Sequence, residues 1–297
     1  MSYLNIFGQE IMYSNHMFNH MNINPAYAGS SEFMEISANF RNQWIGWSDA
    51  PTNFTATISA PFTLMGMSHG AGLIMKRNNF PINSDTQLKL AYAFQRKTNI
   101  GDGKIGIGIS GGLNNSVFDG TKLNGTGDPI VPTTKITNNI FDIDLGVYYK
   151  SEKIYMGLSV AHLLTGQRDY QIGSDVYPLK QTYYATAGYY LQTSNPLIMV
   201  VPCFLLQSDG ATSSLNFNTN IIYNNRVWGG ISYTPGDAIT GMFGLELLPG
   251  VKFGFSYDYN TSYLHKAADG SIEVVVLYGF KLKKEKLPQR YKSIRFL

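Results

Sequence analysis

The chain reads as an all-β protein, a transmembrane antiparallel β-barrel of about 14 strands, on three observations. Alternation of apolar and polar residues with period two recurs along most of the 297 residues, as strands with two unlike faces require. Charge is scarce: Asp, Glu, Lys and Arg supply 14% of the chain, while Phe, Trp and Tyr supply 13%, with 20 Tyr and 17 Phe. Ordinary soluble domains carry about 25% charge. Finally, the longest nearly continuous apolar run, 197–206, holds ten residues and is broken by Pro202, whereas a membrane helix needs about 20.

In chain order, residues 1–8 (MSYLNIFG) lack the basic start and long apolar core of a secretory signal. A trimmed or mis-assigned start accounts for this, with Leu4 to Gly8 the remnant of a leader and Gln9 the mature N-terminus. Residues 9–33 form an N-terminal segment too apolar to float in water, with Ile11, Met12, Tyr13, Met17, Phe18, Met21, Ile23 and Tyr27 all needing burial. It tucks into the barrel as a plug or seam-covering strap, or meets a periplasmic partner through Met17, Phe18 and Tyr27. His16 and His20 have i, i+4 spacing, but no third ligand accompanies them, so neither a metal nor a cofactor is expected. Asn24-Pro25 sets a turn and Ala28-Gly29 ends it.

The barrel proper is expected over 34–282, with strands at approximately 34–41, 52–61, 70–77, 85–96, 104–113, 138–150, 153–162, 181–193, 197–207, 213–224, 226–234, 238–248, 250–259 and 271–282. An even count suits a single-chain bacterial barrel. Phe141, Ile143, Leu145, Val147 and Tyr149 alternate with Asp142, Asp144, Gly146 and Tyr148; Phe253, Phe255, Tyr257 and Tyr259 alternate with Lys252, Gly254, Ser256 and Asp258; Leu215, Phe217, Thr219, Ile221 and Tyr223 alternate with Asn216, Asn218 and Asn220. A soluble sandwich turns its polar face to bulk water and carries more Lys and Glu there. Small residues and amides predict a lumen instead, with Lys89, Lys104, Asp142, Asp144, Lys252 and Glu273 in an internal charge network and Tyr148, Tyr155, Tyr184 and Trp228 filling space.

If the first strand runs outward, the connections after strands six, eight, ten and twelve are Ser151-Glu152, Ser194-Asn195-Pro196, Asn225 and Pro249, all tight, while 114–137, 163–180 and 260–270 are long. Outer-membrane barrels have short periplasmic turns and longer outer loops, so both termini are expected in the periplasm. The medium-length turns at 62–69 and 97–103 fit this asymmetry less well.

Two tryptophans of three fall in the first outer loop, 42–51, which carries Trp44, Ile45, Gly46, Trp47, Ser48 and Asp49. Rim aromatics serve as an interfacial girdle or as recognition anchors; Trp44, Ile45, Trp47 and Asp49 are the candidate partner-binding residues. Gly106-Ile107-Gly108-Ile109-Ser110-Gly111 matches the dinucleotide fingerprint by letter, but no helix follows it, so the glycines read as small lumen-facing residues that leave room for larger neighbours. No nucleophile elbow or Ser/His/Asp arrangement stands out, and His162 and His265 alone sit near outer strand ends, so an enzyme is not expected. The single Cys203 excludes an internal disulfide framework.

Residues 281–297 carry seven Lys or Arg against Glu285, a net of +6 in a chain whose total is +3. The remainder is therefore near -3, and the basic character is a tail, 283–297. A short basic periplasmic tail suits an acidic partner or the anionic cell wall, with Arg290, Arg295 and Phe296 as candidate contacts. No nucleic-acid partner is expected.

The combined spacing of Tyr13-Ser14-Asn15-His16-Met17-Phe18-Asn19, Asn24-Pro25-Ala26-Tyr27-Ala28-Gly29, Phe40-Arg41-Asn42-Gln43-Trp44-Ile45-Gly46 and Ala50-Pro51 resembles the opening of the PorP/SprF family of the type IX secretion system. Lys292-Ser293-Ile294-Arg295-Phe296-Leu297 is similar to the family ending, with Ile294 in place of a proline. The resemblance implies an outer-membrane barrel of Bacteroidota, embedded in outer-membrane lipid and working without catalysis in protein secretion and gliding motility. Its implied partners are the C-terminal domain of a secreted surface adhesin, anchored or exported through the barrel, and type IX components including periplasmic ring proteins. From the residues alone a passive porin or small-molecule channel is the alternative, since fourteen strands can enclose an aqueous lumen.

Overall fold

The structure is a computed structural model and describes residues 10–123, 132–170, 176–262 and 268–281. Its strands are β1 (Met34–Asn42), β2 (Thr52–Leu64), β3 (Met67–Asn79), β4 (Asn83–Lys97), β5 (Lys104–Asp119), β6 (Lys135–Lys150), β7 (Ile154–Ala161), β8 (Gln167–Asp169), β9 (Val176–Pro178), β10 (Thr182–Tyr189), β11 (Leu191–Gln192), β12 (Ile198–Ser208), β13 (Ser213–Tyr223), β14 (Val227–Thr234), β15 (Ala238–Leu248), β16 (Val251–Asn260) and β17 (Ser271–Phe280). Successive wall strands pair antiparallel, β7 pairs with β10, β10 and β11 both pair with β12, and β1 closes the ring against β17. With β10 and β11 forming one interrupted stave, the barrel is closed by fourteen antiparallel staves. Closure leaves no sheet edge and pairs the backbone polar groups within the wall, which a hydrocarbon surrounding demands.

The pleat is inverted relative to a soluble protein. On β6, Phe141 is 55% exposed and its neighbour Asp142 1%. The same holds on β13, where Phe217 and Ile221 are exposed while Asn216, Asn218 and Asn220 are buried. Large apolar side chains thus face out and amides and charges face in, as in a barrel surrounded by lipid. Tyr148, Tyr155, Tyr184, Trp228, Lys89, Asp142, Asp144 and Glu273 are buried within the ring, whereas Lys104 and Lys252 are only half-buried.

Several sequence boundaries need correction. β2 and β3 run on to Leu64 and back from Met67, so the presumed medium turn at 62–69 is the two-residue hairpin Met65-Gly66, with φ of 52° and 77°; two positive φ values match the twist of the flanking strands. The long outer loop expected at 114–137 is much shorter, because Asn114–Asp119 and Lys135–Thr137 continue the β5–β6 ladder. Here Asn115 and Asp119 stand on the outer face while Phe118 is buried on the inner one, so the apolar-out period that marks the other strands is lost. The stave expected at 181–193 breaks at Tyr190, and the loop at 163–180 carries the small hairpin β8–β9.

Candidate functional site

The N-terminal segment runs inside the ring. Three short 3-10 turns, His16–Phe18, His20–Asn22 and Pro25–Tyr27, fold it compactly, and the Asn24 side chain caps the last by accepting from the Ala26 N–H at 2.9 Å. Its partners come from opposite walls. The Tyr13 hydroxyl pairs with Thr55 on β2 at 2.7 Å, His16 Nε2 with Asn216 on β13 at 3.3 Å, and Asn24 Nδ2 donates to the Val147 carbonyl on β6 at 2.9 Å.

Two ionic clamps hold this segment. In the first, the Glu273 carboxylate on β17 accepts from Ser14 N, Asn15 N and Asn39 Nδ2, each at 2.9 Å, from Asn15 Nδ2 at 3.0 Å and from Arg41 Nη1 at 3.1 Å. Arg41 also meets Asp258 on β16 at 2.5 Å, and Asp258 accepts from Ser14 Oγ at 2.8 Å. Buried charge is tolerable here because each group is paired and hydrogen-bonded.

The second clamp holds Glu10. Its carboxylate lies 3.1 Å from Lys76 and 2.8 Å from His162 Nε2; His162 Nδ1 lies 2.6 Å from Asp142, and Lys89 bridges Asp142 at 2.6 Å and Asp144 at 2.7 Å. Burial opposes both ionisations, but the Glu10 and Asp142 carboxylates raise the His162 imidazolium to about 9, while Lys76 and His162 hold the Glu10 carboxyl well below its usual range. Three cations thus face three anions. Asp142, Asp144 and His162 bring possible metal-ligating atoms within 4.8 Å of one another, but the Lys89 ammonium already holds the cation position between the carboxylates.

Past the clamps, from His16 to Tyr27, the segment carries no Asp, Glu, Lys or Arg and packs through its aromatic rings. The His20 ring lies 4.7 Å from Tyr155, and Tyr27 lies 5.2 Å from Tyr148. Small inward residues make the seat: a Cβ at Gly108 would strike Pro25 and Ala26, and one at Gly70 would strike Ala28 and Gly29. The fingerprint-like glycines are therefore explained by close backbone approach.

Phe33 precedes β1 at the short-turn end, while Glu10 meets Lys76, His162 and Gln207 near the opposite ends of β3, β7 and β12. The segment thus traverses the ring lengthwise. Glu10, the first described residue, thus lies at the long-loop end; both ends of the chain itself lie outside the described residues.

The long-loop end holds a cavity of about 500 Å³, lined by Glu10, Ile11 and His162, by residues of β4, by Phe118 and by Arg168, Tyr170, Tyr177 and Leu179. The same end carries the tryptophan loop, which joins β1 to β2. Ile45 N donates to the Gly270 carbonyl at 2.8 Å and Asp269 N to the Ile45 carbonyl at 2.7 Å, so the loop is pinned to its neighbour. Trp44 and Trp47 rings are 5.8 Å apart, Trp47 is 48% exposed, and Trp44 and Asp49 adopt positive φ. In contrast, Phe18 packs on Trp228 at 4.9 Å, the Tyr27 hydroxyl donates to Glu35 at 2.8 Å, and Met17 packs against the buried tyrosine cluster; these three meet the barrel itself. Arg290, Arg295, Phe296, the tail 283–297, His265 and residues 1–8 lie outside the described residues.

Glu10, Arg41 and Asp258 were missed as site residues. The available signal was position: Arg41 and Asp258, like Glu273, fall on the polar face of alternating strands.

Among curated proteins, none matches the chain. Solved structures similar in fold include a mutant of the monoaromatic hydrocarbon channel TodX, with TM-score 0.49, 10% identity, and 92% of this chain and 95% of that one covered. Another is the outer-membrane protein Omp33 of Acinetobacter baumannii, with TM-score 0.49, 9% identity, and coverage of 85% and 100%. The family model described as type IX secretion system membrane protein PorP/SprF matches residues 5–278. With the closed outer-membrane-type barrel, that match over nearly the whole length means that the chain belongs to the PorP/SprF family of type IX secretion system membrane proteins.

Proposed function

We propose that this barrel is a non-enzymatic scaffold of the type IX secretion and gliding machinery, whose outward loops receive the C-terminal domain of a secreted surface adhesin for export or anchoring. The family match carries this reading. Support comes from the lumen, which residues 10–31 and large inward side chains fill, as suits a scaffold better than a diffusion pore. The pinned, partly exposed Trp44–Trp47 pair is the docking anchor, with Ile45 and Asp49 beside it, because rigid exposed tryptophans dominate many interfaces. The basic tail, with Arg290, Arg295 and Phe296, is the contact to periplasmic ring proteins.

The test is a mild-detergent pull-down of the tagged barrel from its native outer membrane, with co-purifying chains identified by mass. One large surface protein, lost when Trp44 and Trp47 are both changed to Ala, is the expected result for an anchor. Periplasmic ring components alone would make the barrel a linker between outer membrane and machine. A barrel that comes down alone, together with steady single-channel openings, would overturn the scaffold in favour of a passive channel.

A further inference from the structure

Three lysines stand side by side on the inner face at the short-turn end. Lys97 on β4 is the direct ladder partner of Lys104 on β5, and Lys104 is the direct partner of Lys150 on β6. Each occupies an inward position one step beyond Gln95, Gly106 and Tyr148, the residues that hold Ala26 and Tyr27. Lys97 is exposed, and Lys104 and Lys150 are half-buried. Adjacent strands lie about 4.8 Å apart, so the row spans about 10 Å across three strands. Like charges at directly opposed positions destabilise a sheet. The row therefore costs stability as it stands, and an anion laid across it would reverse that cost.

Among the described residues none of the three has an ion-pair partner. Glu35 is within electrostatic reach of Lys150 but accepts the Tyr27 hydroxyl at 2.8 Å, and the Lys150 ammonium lies over the Tyr27 ring at 5.9 Å. Lys104 and, from β16, Lys252 both repel Lys150. Asp102 and Glu152 stand exposed in the adjoining turns. Nor does the remaining sequence offer the missing charge: 282–297 hold six Lys or Arg against Glu285, and 1–9 hold no acid. The row faces into the ring, so the phosphates of lipid around the wall are on the wrong side of the sheet. Recessed beside a filled lumen, it admits a thread more readily than a cross-linked glycan. Same-face side chains of an extended polypeptide recur about every 7 Å, so neighbouring carboxylates on flexible stems match a row of this width.

We propose that Lys97, Lys104 and Lys150 form a docking row for an acidic segment of a periplasmic polypeptide. The proposal rests on the contact between the basic tail and periplasmic ring proteins and deepens it: tail and row are two basic seats for one acidic partner.

The test uses the full-length barrel in detergent, with a fluorescent oligoglutamate peptide as probe, read by polarisation at low salt because exposed charge is screened as salt rises. Lys97→Gln, Lys104→Gln and Lys150→Gln combined should weaken binding about tenfold, the joint effect of three modest ion pairs. Arg96→Gln, Lys153→Gln and Arg226→Gln combined remove the same charge from exposed positions at the same end and should change binding by less than about threefold. Lys104→Gln alone should raise the temperature of heat-modifiable unfolding, since it relieves repulsion on both sides. Equal losses in the two triple variants, or a lower unfolding temperature for Lys104→Gln, overturn the row as a site. In cells, pull-downs separate row from tail. Ring components lost both with the row variant and on truncation after Lys281 support the proposal. Lost on truncation but kept with the row variant, they overturn the row and leave the tail contact standing; kept in both, they sink both. Row-dependent retention on purified cell-wall sacculi, with the peptide unbound, gives the row to glycan and overturns the polypeptide assignment.

Discussion

Glu273→Ala should release the N-terminal segment without opening the wall. Glu273 is 0% exposed and accepts from the backbone N–H groups of both Ser14 and Asn15, each at 2.9 Å. Removing the carboxylate orphans those two donors, at about 1–3 kcal/mol for each buried group, or roughly 2–6 kcal/mol together. Water reaching the vacated space favours the lower half, about 3 kcal/mol. At about 1.4 kcal/mol per factor of ten, opening of this stretch should rise about 100-fold. Arg41 keeps Asp258 at 2.5 Å, so the wall is not left with an unpaired buried cation, the situation that makes breaking an ion pair most costly. Native-state hydrogen exchange in detergent, comparing peptides from 10–31 with peptides from β17, reads the effect directly. Glu273→Gln retains one acceptor and should give an intermediate rise. If exchange within 10–31 stays within about threefold of the parent while β17 loosens, the clamp serves the wall rather than the segment, and the reasoning fails.

Deleting residues 10–31 should convert a silent barrel into one with steady conductance steps in planar bilayers; silence in both would mean that the inward Tyr148, Tyr155, Tyr184 and Trp228 suffice to close it. The Glu10 clamp should weaken with alkali. His162 is raised to about 9, so its contribution is complete below the ordinary imidazole value of about 6.5 and disappears as pH rises through about 9. Glu10 is lowered, so its share is complete above about 4.5 and is lost as pH falls. A spin label at Ile11 should therefore become mobile above about pH 9, and His162→Gln, facing the same Glu10, Lys89 and Asp142, should remove that transition. Gly70→Val should unseat Ala28 and Gly29 at about 1–3 kcal/mol, the usual cost of overpacking, whereas Gly241→Val, with nothing within 4 Å, should be neutral. Limited proteolysis within 25–31 distinguishes the pair.

Strand identity was legible wherever the apolar belt crosses a strand, because lipid outside and a polar lumen inside impose opposite chemistry on successive residues. Along Phe141 to Tyr149 that alternation is unambiguous. It failed at Asn114–Asp119 and Lys135–Thr137, where Asn115, Asp119, Lys135 and Thr137 stand on the outer face and Phe118 is buried on the inner one, so the apolar-out pattern no longer holds. It failed again at Phe62–His69, where the turn is read from φ rather than from hydrophobicity. The seat of Pro25 and Ala26 could be anticipated only as space left by Gly106 and Gly108, since a missing side chain does not say which backbone will fill the gap.

Local pattern determined, by itself, that this chain is a closed barrel with a charged interior, because a period-two sequence poor in charge has few other ways to satisfy its backbone in hydrocarbon. The family spacing at Asn24–Gly29 and Phe40–Gly46 was also present in the letters. Only the tertiary structure decided that Glu10 and His162, 152 residues apart, share a hydrogen bond, and that Ser14 meets Glu273 across 259. Such pairings depend on which staves face each other across the lumen once the ring is closed. That is set by the summed register of the strands and by the path of the segment within them, and no stretch of sequence encodes it locally.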